Sequence, residues 1–307
     1  MRNRILCFIP AIFVSRLWGN FLSKTILITG VTGDIGMNLC KDALTKGYSV
    51  IGVGRDTSKL KSTYSKLNQF VDVSNLSLKT CSFDDLNNLT DLCKGLVDVS
   101  INQVYLASGV RHKSSKILTN GFEIHYQVNF LAPLYLNLIL SSTNNNCVFV
   151  NFGSDSMYRT SLPKSLDLTD ANKYSRFAGP YAKSKLLLAA FSKFLSVFDS
   201  ENKWITIDPG NVKTEMTTEG AFPSYYRFAA KRFFKDPQKF SRRFLQESED
   251  NFRKFDSGVY LKNFQTRSLP IAIQKLDFKE FLDFLALSEE SALLTEKFKE
   301  LKNRMTL

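Results

Sequence analysis

The stretch TILITGVTGDIG, residues 25–36, decides the fold. Its first five residues are an apolar, β-branched run typical of a buried strand. Three glycines follow, Gly30, Gly33 and Gly36, and the pattern then becomes helical. Their spacing is GxxGxxG and differs from the GxGxxG dinucleotide fingerprint. A glycine turn that leaves a strand and opens a helix nevertheless has the context of a phosphate-binding loop.

The residues between these glycines define the contacts expected of the loop. Amides at the helix start, including those of Asp34 and Ile35, would face an anion. The hydroxyls of Thr29 and Thr32 are further hydrogen-bond donors. A carboxylate beside a pyrophosphate is unfavourable unless it points away, for example to cap a helix. Asp34 is therefore the unexplained member of a predicted nucleotide-binding loop.

Short apolar runs alternate with helical patterns along the chain as far as residue 210. Strands are predicted at residues 25–29, 48–54, 76–83, 101–109, 147–154 and 203–210. Helices are predicted after the glycine loop as far as Gly47, and at residues 84–95, 122–140, 180–198 and about 278–302. Buried strands that alternate with helices indicate an α/β fold with a doubly wound parallel sheet, the Rossmann fold. Its ligand should lie beyond the carboxyl ends of the strands.

The end of the second predicted strand, GVGRD (52–56), bears on the choice of nucleotide. An acidic residue there would bind the ribose 2′-hydroxyl of NAD, whereas an arginine accommodates the 2′-phosphate of NADP. Gly54 occupies the expected acidic position and Arg55 follows it. Guanidinium–phosphate pairing is charge-assisted and can be bidentate. We expect NADP(H), with NAD as the second candidate if Asp56 makes the selection and Arg55 is an ordinary surface residue.

Composition excludes several other classes of site. The 307-residue chain is 44% hydrophobic, contains only two histidines, and has neither a CxxC pair nor histidines at metal-ligand spacing. We therefore predict no metal and no Ser–His–Asp hydrolysis. The five scattered cysteines indicate reduced thiols and a cytoplasmic setting. Despite a net charge of +12, no nucleic-acid-binding motif stands out, so no nucleic-acid partner is expected.

Residues 1–23 are basic and hydrophobic and contain no acidic residue. The apolar run of residues 5–14 is too short to span a bilayer, which takes about 20 residues. The segment is interpreted as an interfacial anchor, an organelle-type presequence or a hydrophobic segment packed on the domain. A membrane surface, contacted through this segment, is therefore one expected partner of the protein.

The sequence PYAKSK places Tyr181 and Lys185 four residues apart, on one face of a predicted helix. Ser154 ends the fifth predicted strand, and Asn129 lies inside the helix before it. With the glycine loop, these residues resemble the short-chain dehydrogenase/reductase family across residues 24–215. The resemblance is most detailed with the retinol-dehydrogenase-like branch, through residues 119–140, DPGNVKTEM (208–216) and SGVYL (257–261).

The resemblance implies a catalytic tetrad. Tyr181 would be the general acid/base, and because an unperturbed tyrosine has a pKa near 10, Lys185 would supply charge to stabilise its phenolate. Ser154 would orient the substrate oxygen, and Asn129 would hold a water that relays protons to Lys185. Alone, three of these residues also have an ordinary explanation: Tyr181 as a helix-face aromatic, Ser154 as a helix N-cap and Asn129 as a buried amide.

The resemblance also implies further cofactor contacts after the third, fourth and sixth strands. These residues are Ser82, Phe83, Ala107, Ser108, Gly109, Pro209, Gly210, Val212 and Thr214. The sequence departs from the family pattern at two of them. Ala107 replaces an asparagine that braces the central sheet, and Ser82 replaces an adenine-contacting aspartate. Together with Asp34, these departures raise the alternative of a nucleotide-binding protein without turnover.

Residues 216–307 are expected to form a small C-terminal substrate cap and further elements of the same domain. Phe222, Tyr225 and Tyr226 fall at helical spacing with Ala229 and Phe233, and basic residues lie between them. An aromatic cap suits a bulky apolar substrate. The alternative is a helix that packs its aromatic face on the core.

The sequence thus predicts an NADP(H)-dependent oxidoreductase that interconverts an alcohol and a ketone or aldehyde on a retinoid, steroid or other lipid. The first alternative is a catalytically silent NADP(H)-binding regulator or scaffold. The second is a sugar-nucleotide epimerase, because the GxxGxxG spacing also occurs in that class of enzyme. Family members usually pair through the helix that carries the tyrosine and lysine, so a homodimer is also expected as an assembly.

Overall fold

The computed structural model describes residues 24–162, 179–220, 222–277 and 281. Eight strands in this part of the chain form one sheet in the order β3-β2-β1-β4-β5-β6-β7-β8. The strands are β1 (Thr25–Thr29), β2 (Ser49–Gly54), β3 (Leu76–Thr80), β4 (Gln103–Leu106), β5 (Val148–Phe152), β6 (Lys203–Asp208), β7 (Val259–Lys262) and β8 (Gln265–Arg267). Strands β1 to β7 pair in parallel and β8 is antiparallel to β7. The predicted doubly wound α/β fold is confirmed.

Helices cover both faces of this sheet. They are α1 (Asp34–Thr45), α2 (Thr57–Asn68), α3 (Leu86–Lys94), α4 (Ile124–Tyr126), α5 (Ala132–Thr143), α6 (Pro180–Phe198), α7 (Glu215–Thr218), α8 (Ser224–Phe233), α9 (Pro237–Asp250) and α10 (Ile271–Gln274). One core cluster includes apolar residues of α3, α5 and α6, and the other includes residues of α1 and α9. Strands buried from both sides are the reason for the unbroken apolar runs in the sequence.

The predicted helix at residues 122–140 is present with an interruption. A five-residue π-helical turn, Gln127–Leu131, joins α4 to α5. Pro133 does not break the helix, which continues from the π-helical turn through the first turn of α5. Predicted strands 76–83 and 101–109 are shorter in the structure, because the residues after Thr80 and Leu106 form the loops that face the ligand side.

Two strands, β7 and β8, and two helices, α9 and α10, near the carboxyl terminus were not predicted. Strands β7 and β8 extend the sheet, and α9 packs against α1, where Ser241 donates a hydrogen bond to Asp42. Much of the segment after residue 216 is therefore part of the sheet domain. The strands are four and three residues long, and runs this short give little periodicity to detect.

The predicted N-terminal segment of residues 1–23 lies outside the described residues, as does most of the predicted helix at 278–302. Within the described part of the chain, no helix combines the length and apolar character needed to cross a bilayer. Four cysteines, Cys40, Cys81, Cys93 and Cys147, are free thiols in the interior. Burial raises the pKa of these thiols, to about 12 for Cys40, so they serve as apolar core residues.

Candidate active site

The glycine loop forms a tight turn between β1 and α1. Gly30 has a φ of 75°, in the left-handed region that favours glycine, and its amide donates to the carbonyl of Val53 at 2.8 Å. A Cβ on Gly36 would lie within 2.6 Å of the carbonyl carbon of Gly30. Gly33 is the N-cap of α1 and provides no side chain to bond the first-turn amides. These features fit a loop that brings backbone amides against a pyrophosphate.

Asp34 points away from that turn. Its Oδ2 accepts a hydrogen bond from the amide of Glu215, the first residue of α7, at 2.8 Å. The carboxylate therefore connects the phosphate loop to the segment after β6. Ile35 and Thr32 are partly exposed beside the turn. This contact explains why a carboxylate is tolerated at the start of α1, although the charge remains close to the predicted pyrophosphate.

The ends of β1 and β4 are joined by a hydroxyl. Thr29 is fully buried, and its Oγ1 accepts the amide of Ser108 at 3.1 Å. Thr29 was expected to donate to the cofactor, but its hydroxyl braces the central strands. This bond connects β1 and β4 beside Ala107, where the family has its bracing asparagine. Where Ala107 lacks the bracing side chain, the hydrogen bond between Thr29 and Ser108 therefore connects the two strands.

The end of β2 places Arg55 at an exposed position. The neighbouring carboxylate of Asp56 is the N-cap of α2 and accepts the amide of Lys59 at 2.9 Å. At Gly54, a Cβ would meet Leu60 at 2.9 Å and Thr32 at 3.0 Å. An NAD-selecting acid is thus crowded at Gly54, and Asp56 already has a structural role. The arrangement fits a ribose 2′-phosphate beside Arg55.

The segment after β3 is held by its own hydrogen bonds. Ser82 donates from Oγ to the carboxylate of Asp84. The side chain of Phe83 is buried in the core, and its carbonyl accepts from Gln127 Nε2 at 3.1 Å. The backbone is therefore fixed beside the expected adenine position. Adenine contacts by Ser82 and Phe83 remain predictions.

Asn129 lies in the π-helical turn and is completely buried. Its side-chain amide forms a pair of bonds with the backbone of Val110, at 2.8 Å to the amide and 3.0 Å to the carbonyl. It also donates to Ser184 Oγ at 3.3 Å. The side chain therefore fixes the loop after β4 to α6, which corresponds to the buried-amide interpretation. The water relay remains a prediction.

Lys185 is buried next to Gly109, where a Cβ would lie 3.6 Å from its ammonium nitrogen. The ammonium group donates to the carbonyl of Phe152 at 2.7 Å. Burial lowers its pKa to about 8, against the opposing effect of the Asp208 carboxylate. A lysine with this pKa can hold or release a proton near physiological pH. Its expected role beside Tyr181 remains a prediction.

Tyr181 is half-buried at the start of α6, and the side chains of Ser154 and Arg111 both lie close enough to lower its pKa. Ser154 is the N-cap of a short 3₁₀ helix, Asp155–Arg159, and its Oγ accepts from Ser156. The structure thus brings together Tyr181, the predicted proton donor, and Ser154, the predicted substrate-orienting hydroxyl. In the sequence, Ser154 lies just after β5 and Tyr181 lies in the first turn of α6.

Arg111 was not predicted as a site residue. Its guanidinium carbon lies 4.6 Å from the centroid of the Tyr181 ring and 4.0 Å from that of Phe222. Its position in the sequence, two residues after Gly109 in the loop that follows β4, could have indicated a site residue. Cations at such distances interact favourably with aromatic faces. Arg111 therefore connects the proposed acid/base to the aromatic cap.

The groups around Tyr181 act on its pKa in opposite directions. Burial is the largest effect and raises the pKa, as does the Asp208 carboxylate. Arg111 and the hydrogen bond with Ser154 lower it. Asp208 is itself buried and accepts the amides of Gly210 at 2.8 Å and Asp155 at 3.1 Å. Burial raises the pKa of Asp208 above the usual range.

A buried His–Glu pair supports the same region from α4. His125 Nδ1 lies 2.7 Å from Glu123 Oε1, and its Nε2 accepts the amide of His112 at 3.0 Å. The acceptor role of Nε2 places the ring proton on Nδ1, toward the carboxylate. The His125 ring packs edge-on against Tyr181, with 6.2 Å between centroids. This pair fixes the wall behind the tyrosine.

The loop after β6 carries the last group of predicted contacts, Pro209, Gly210, Val212 and Thr214. Gly210 has a φ of 74°, and Val212 is buried and pairs with Lys235 in a short parallel bridge. Thr214 is the N-cap of α7 and forms a capping box with Thr217. The loop is therefore fixed at both ends beside the glycine turn, and cofactor contacts from it remain predictions.

Only part of the predicted aromatic cap faces the site. Phe222 precedes α8 and stacks on Tyr226, with ring centroids 4.1 Å apart, and both lie near Arg111. Tyr225 is 70% exposed on another face of α8, since successive residues in a helix differ by about 100°. Tyr225 therefore does not share the stacked pair of Phe222 and Tyr226, and substrate contacts by these three residues stay predictions.

The sequence is similar to one family profile and to several known proteins. Residues 26–194 match the profile of the NAD dependent epimerase/dehydratase family. Human polyprenol dehydrogenase is 27% identical over 209 residues, which cover 63% of this chain and 62% of that protein. The match thus covers less than two thirds of the length of the human protein. Mouse retinol dehydrogenase 14 is 25% identical over 241 residues, 70% of each chain.

Solved structures show the same fold. The short-chain dehydrogenase from Sphingobium yanoikuyae, in complex with NADPH, superposes with a TM-score of 0.60 at 15% identity. The superposition covers 88% of this chain and 97% of that one. At this identity the likeness concerns the fold alone.

Proposed function

Because the chain belongs to the NAD dependent epimerase/dehydratase family, and so to the short-chain dehydrogenases/reductases, we propose that it is an NADP(H)-dependent oxidoreductase. It interconverts an alcohol and a ketone or aldehyde on a lipophilic small molecule. One observation carries this proposal: the side chains of Ser154 and Arg111 lie beside Tyr181 and lower its pKa, one helical turn before Lys185 on α6.

The chemistry of the tyrosine follows from its neighbours. When bound, the nicotinamide supplies or accepts the hydride. In the reducing direction, Tyr181 Oη gives its proton to the substrate oxygen while the Ser154 hydroxyl orients that oxygen. Arg111 then stabilises the phenolate that remains. Lys185, with a pKa near 8, holds a proton at Nζ that can replace the one lost.

The cofactor preference rests on three residues at the end of β2. Arg55 is exposed, Asp56 caps α2, and a side chain at Gly54 would press on the side chains of Leu60 and Thr32. This combination supports NADP(H) over NAD(H). The glycine turn, with Gly30 in the left-handed region, supports the pyrophosphate.

The substrate class rests on the aromatic wall next to Tyr181. Phe222 and Tyr226 stack on each other and provide a flat apolar surface above Arg111. Such a wall suits a long or ring-containing lipid alcohol. The names of two relatives, a polyprenol dehydrogenase and a retinol dehydrogenase, point to the same class of substrate. Residues 1–23 would then hold the enzyme near a membrane.

Two alternatives have their own supporting observations. A silent NADP(H)-binding protein is favoured by the Asp34 carboxylate at the phosphate loop and by Ala107 in place of the family's asparagine. A sugar-nucleotide epimerase is favoured by the family profile itself. The apolar wall of Phe222 and Tyr226 opposes the epimerase, because a sugar diphosphate needs polar partners.

The test is an NADPH-consumption screen over retinals, polyprenals, steroid ketones, quinones and aliphatic aldehydes. The control variant is Tyr181→Phe, which keeps the ring but removes the acid. We expect turnover in the parent and its loss in the variant, with NADPH binding unchanged. Tight NADPH binding without any turnover would indicate the silent protein, and UDP-sugar conversion the epimerase. Turnover that survives Tyr181→Phe would refute the assigned mechanism.

A further inference from the structure

The outer face of α8 is the most exposed aromatic surface of the described residues. Tyr225, Phe228 and Phe233 are 70%, 72% and 76% exposed, which is more than any other large hydrophobic side chain in the described part of the chain. All three lie on a ten-residue helix. Exposed aromatic clusters are costly in water and mark interaction surfaces.

The outer aromatics are not needed to hold α8 in place. The inner face is anchored by the buried Ala230 and by Tyr226, which stacks on Phe222 and contacts Phe234 edge-on at 5.4 Å. The end of the helix is fixed by the backbone bridge between Lys235 and Val212. The helix is therefore apolar on two faces, only one of which is used in the fold.

The charged side chains of α8 and of the two residues after it are all basic, and the next residue, Asp236, is the N-cap of α9. Residues 224–235 contain Arg227, Lys231, Arg232 and Lys235 and no acidic residue. Lys231, Arg232 and Lys235 are exposed. Mixed aromatic and basic residues on one surface are the composition of helices that lie in the headgroup region of a bilayer. We propose that the outer face of α8, formed by Tyr225, Phe228, Lys231 and Arg232, docks on an anionic lipid surface together with Phe233, which is exposed at the last position of the helix.

The position of this face relative to the site has a consequence for substrate entry. Tyr226 on the inner side of α8 stacks on Phe222, which contacts Arg111, which in turn contacts Tyr181. A helix is about 10 Å across with its side chains, so a docked bilayer would lie one helix away from the reactive tyrosine. Transfer of a lipid substrate by this route rests on the proposed function, whereas the docking itself does not.

The first test is vesicle co-sedimentation of the full chain, without cofactor or substrate. Vesicles of phosphatidylcholine alone are compared with vesicles that also contain phosphatidylserine. The variants are Tyr225→Ser/Phe228→Ser/Phe233→Ser and Lys231→Glu/Arg232→Glu, and the matched control is Phe70→Ser/Ile271→Ser, which removes two side chains that are each 67% exposed elsewhere. We expect binding that depends on phosphatidylserine and falls on the order of tenfold in both α8 variants, with no change in the control.

A second test separates α8 from residues 1–23, which could bind vesicles by themselves. Phe228→Trp places a fluorophore on the α8 face, and Phe70→Trp places one elsewhere. Brominated lipids should quench the added emission of the first variant and not that of the second. Vesicle-bound protein with no quenching at position 228 would overturn the proposal. Self-association that the triple serine variant abolishes, without vesicle binding, would also overturn it and assign the face to a second copy.

Discussion

The Arg111 guanidinium carbon lies 4.6 Å from the centroid of the Tyr181 ring, closely enough to influence the titration of its hydroxyl. Four other groups act on or contact the same tyrosine: Ser154, Asp208, His125 and Tyr226. Among the groups that lower the pKa of Tyr181, Arg111 has the largest effect. The cation in contact with the ring is therefore Arg111, while Lys185 is bonded to a backbone carbonyl.

Substitution of Arg111 by Gln should shift the pH dependence of turnover. Without the guanidinium charge, the pKa of Tyr181 rises, and alcohol oxidation, which needs the phenolate, requires a higher pH. We expect the pH–rate profile for oxidation to move up by about one unit. Arg111→Lys keeps a cation and should move it less. An unchanged profile in Arg111→Gln, in an enzyme that Tyr181→Phe inactivates, would exclude this role.

Substitution of Lys185 by Met should change how stability depends on pH. In the folded protein its pKa is about 8, compared with 10.5 for an ordinary exposed lysine. Between these values the unfolded chain binds more protons than the folded one, so stability rises with pH. The difference in unfolding free energy, parent minus Lys185→Met, should therefore increase by up to about 3 kcal/mol over this range. Urea denaturation across the range measures it, and a constant difference would contradict the expectation.

Substitution of Arg55 by Ala should weaken NADPH binding selectively. Charge-assisted hydrogen bonds contribute about 1.5–3 kcal/mol, so the loss should be roughly tenfold to a hundredfold. NADH lacks the 2′-phosphate and provides the internal control, because its affinity should not change. Both dissociation constants are measured by the fluorescence of the reduced nicotinamide. Equal losses for the two cofactors would mean that Arg55 does not contact the phosphate.

Substitution of Asp34 by Asn should strengthen cofactor binding. Asparagine retains an oxygen acceptor for the Glu215 amide but removes a negative charge next to the pyrophosphate. A charge at a helix terminus is worth about 1 kcal/mol, so the gain should be roughly fivefold. Asp34→Ala loses the acceptor too and serves as the comparison, with a lower melting temperature. A weaker affinity in Asp34→Asn would show that the carboxylate itself is required.

Substitution of Gly36 by Ala should disrupt the glycine loop. The new Cβ would be pressed against the carbonyl of Gly30, with its carbon 2.6 Å away. We expect a loss of about 2 kcal/mol or more in stability and a marked loss of NADPH affinity. Gly95→Ala is the matched control, because its Cβ would meet nothing nearer than 3.5 Å. Thermal unfolding measures the stability of both variants, and cofactor titration measures their NADPH affinity. Equal losses in Gly36→Ala and Gly95→Ala would contradict the prediction.

Much of the fold and part of the site could be predicted from the chain alone. The strand–glycine–helix sequence at residues 25–36 and the later alternation of strands and helices are local patterns, and periodicity reveals them. The pairing of Tyr181 with Lys185 follows from helix geometry. Strands β7 and β8 were missed, because segments of three or four residues have too little periodicity.

The sequence by itself therefore determined the sheet architecture, the glycine turn and the helix that carries Tyr181 and Lys185, because near neighbours in the chain decide each of them. Only the tertiary structure placed Arg111 against Tyr181, directed Asp34 to the Glu215 amide and turned Tyr225 away from Phe222. Each of these contacts joins distant segments or depends on which face of a helix is packed. Local patterns leave such choices open, and packing and charge across the whole domain decide them.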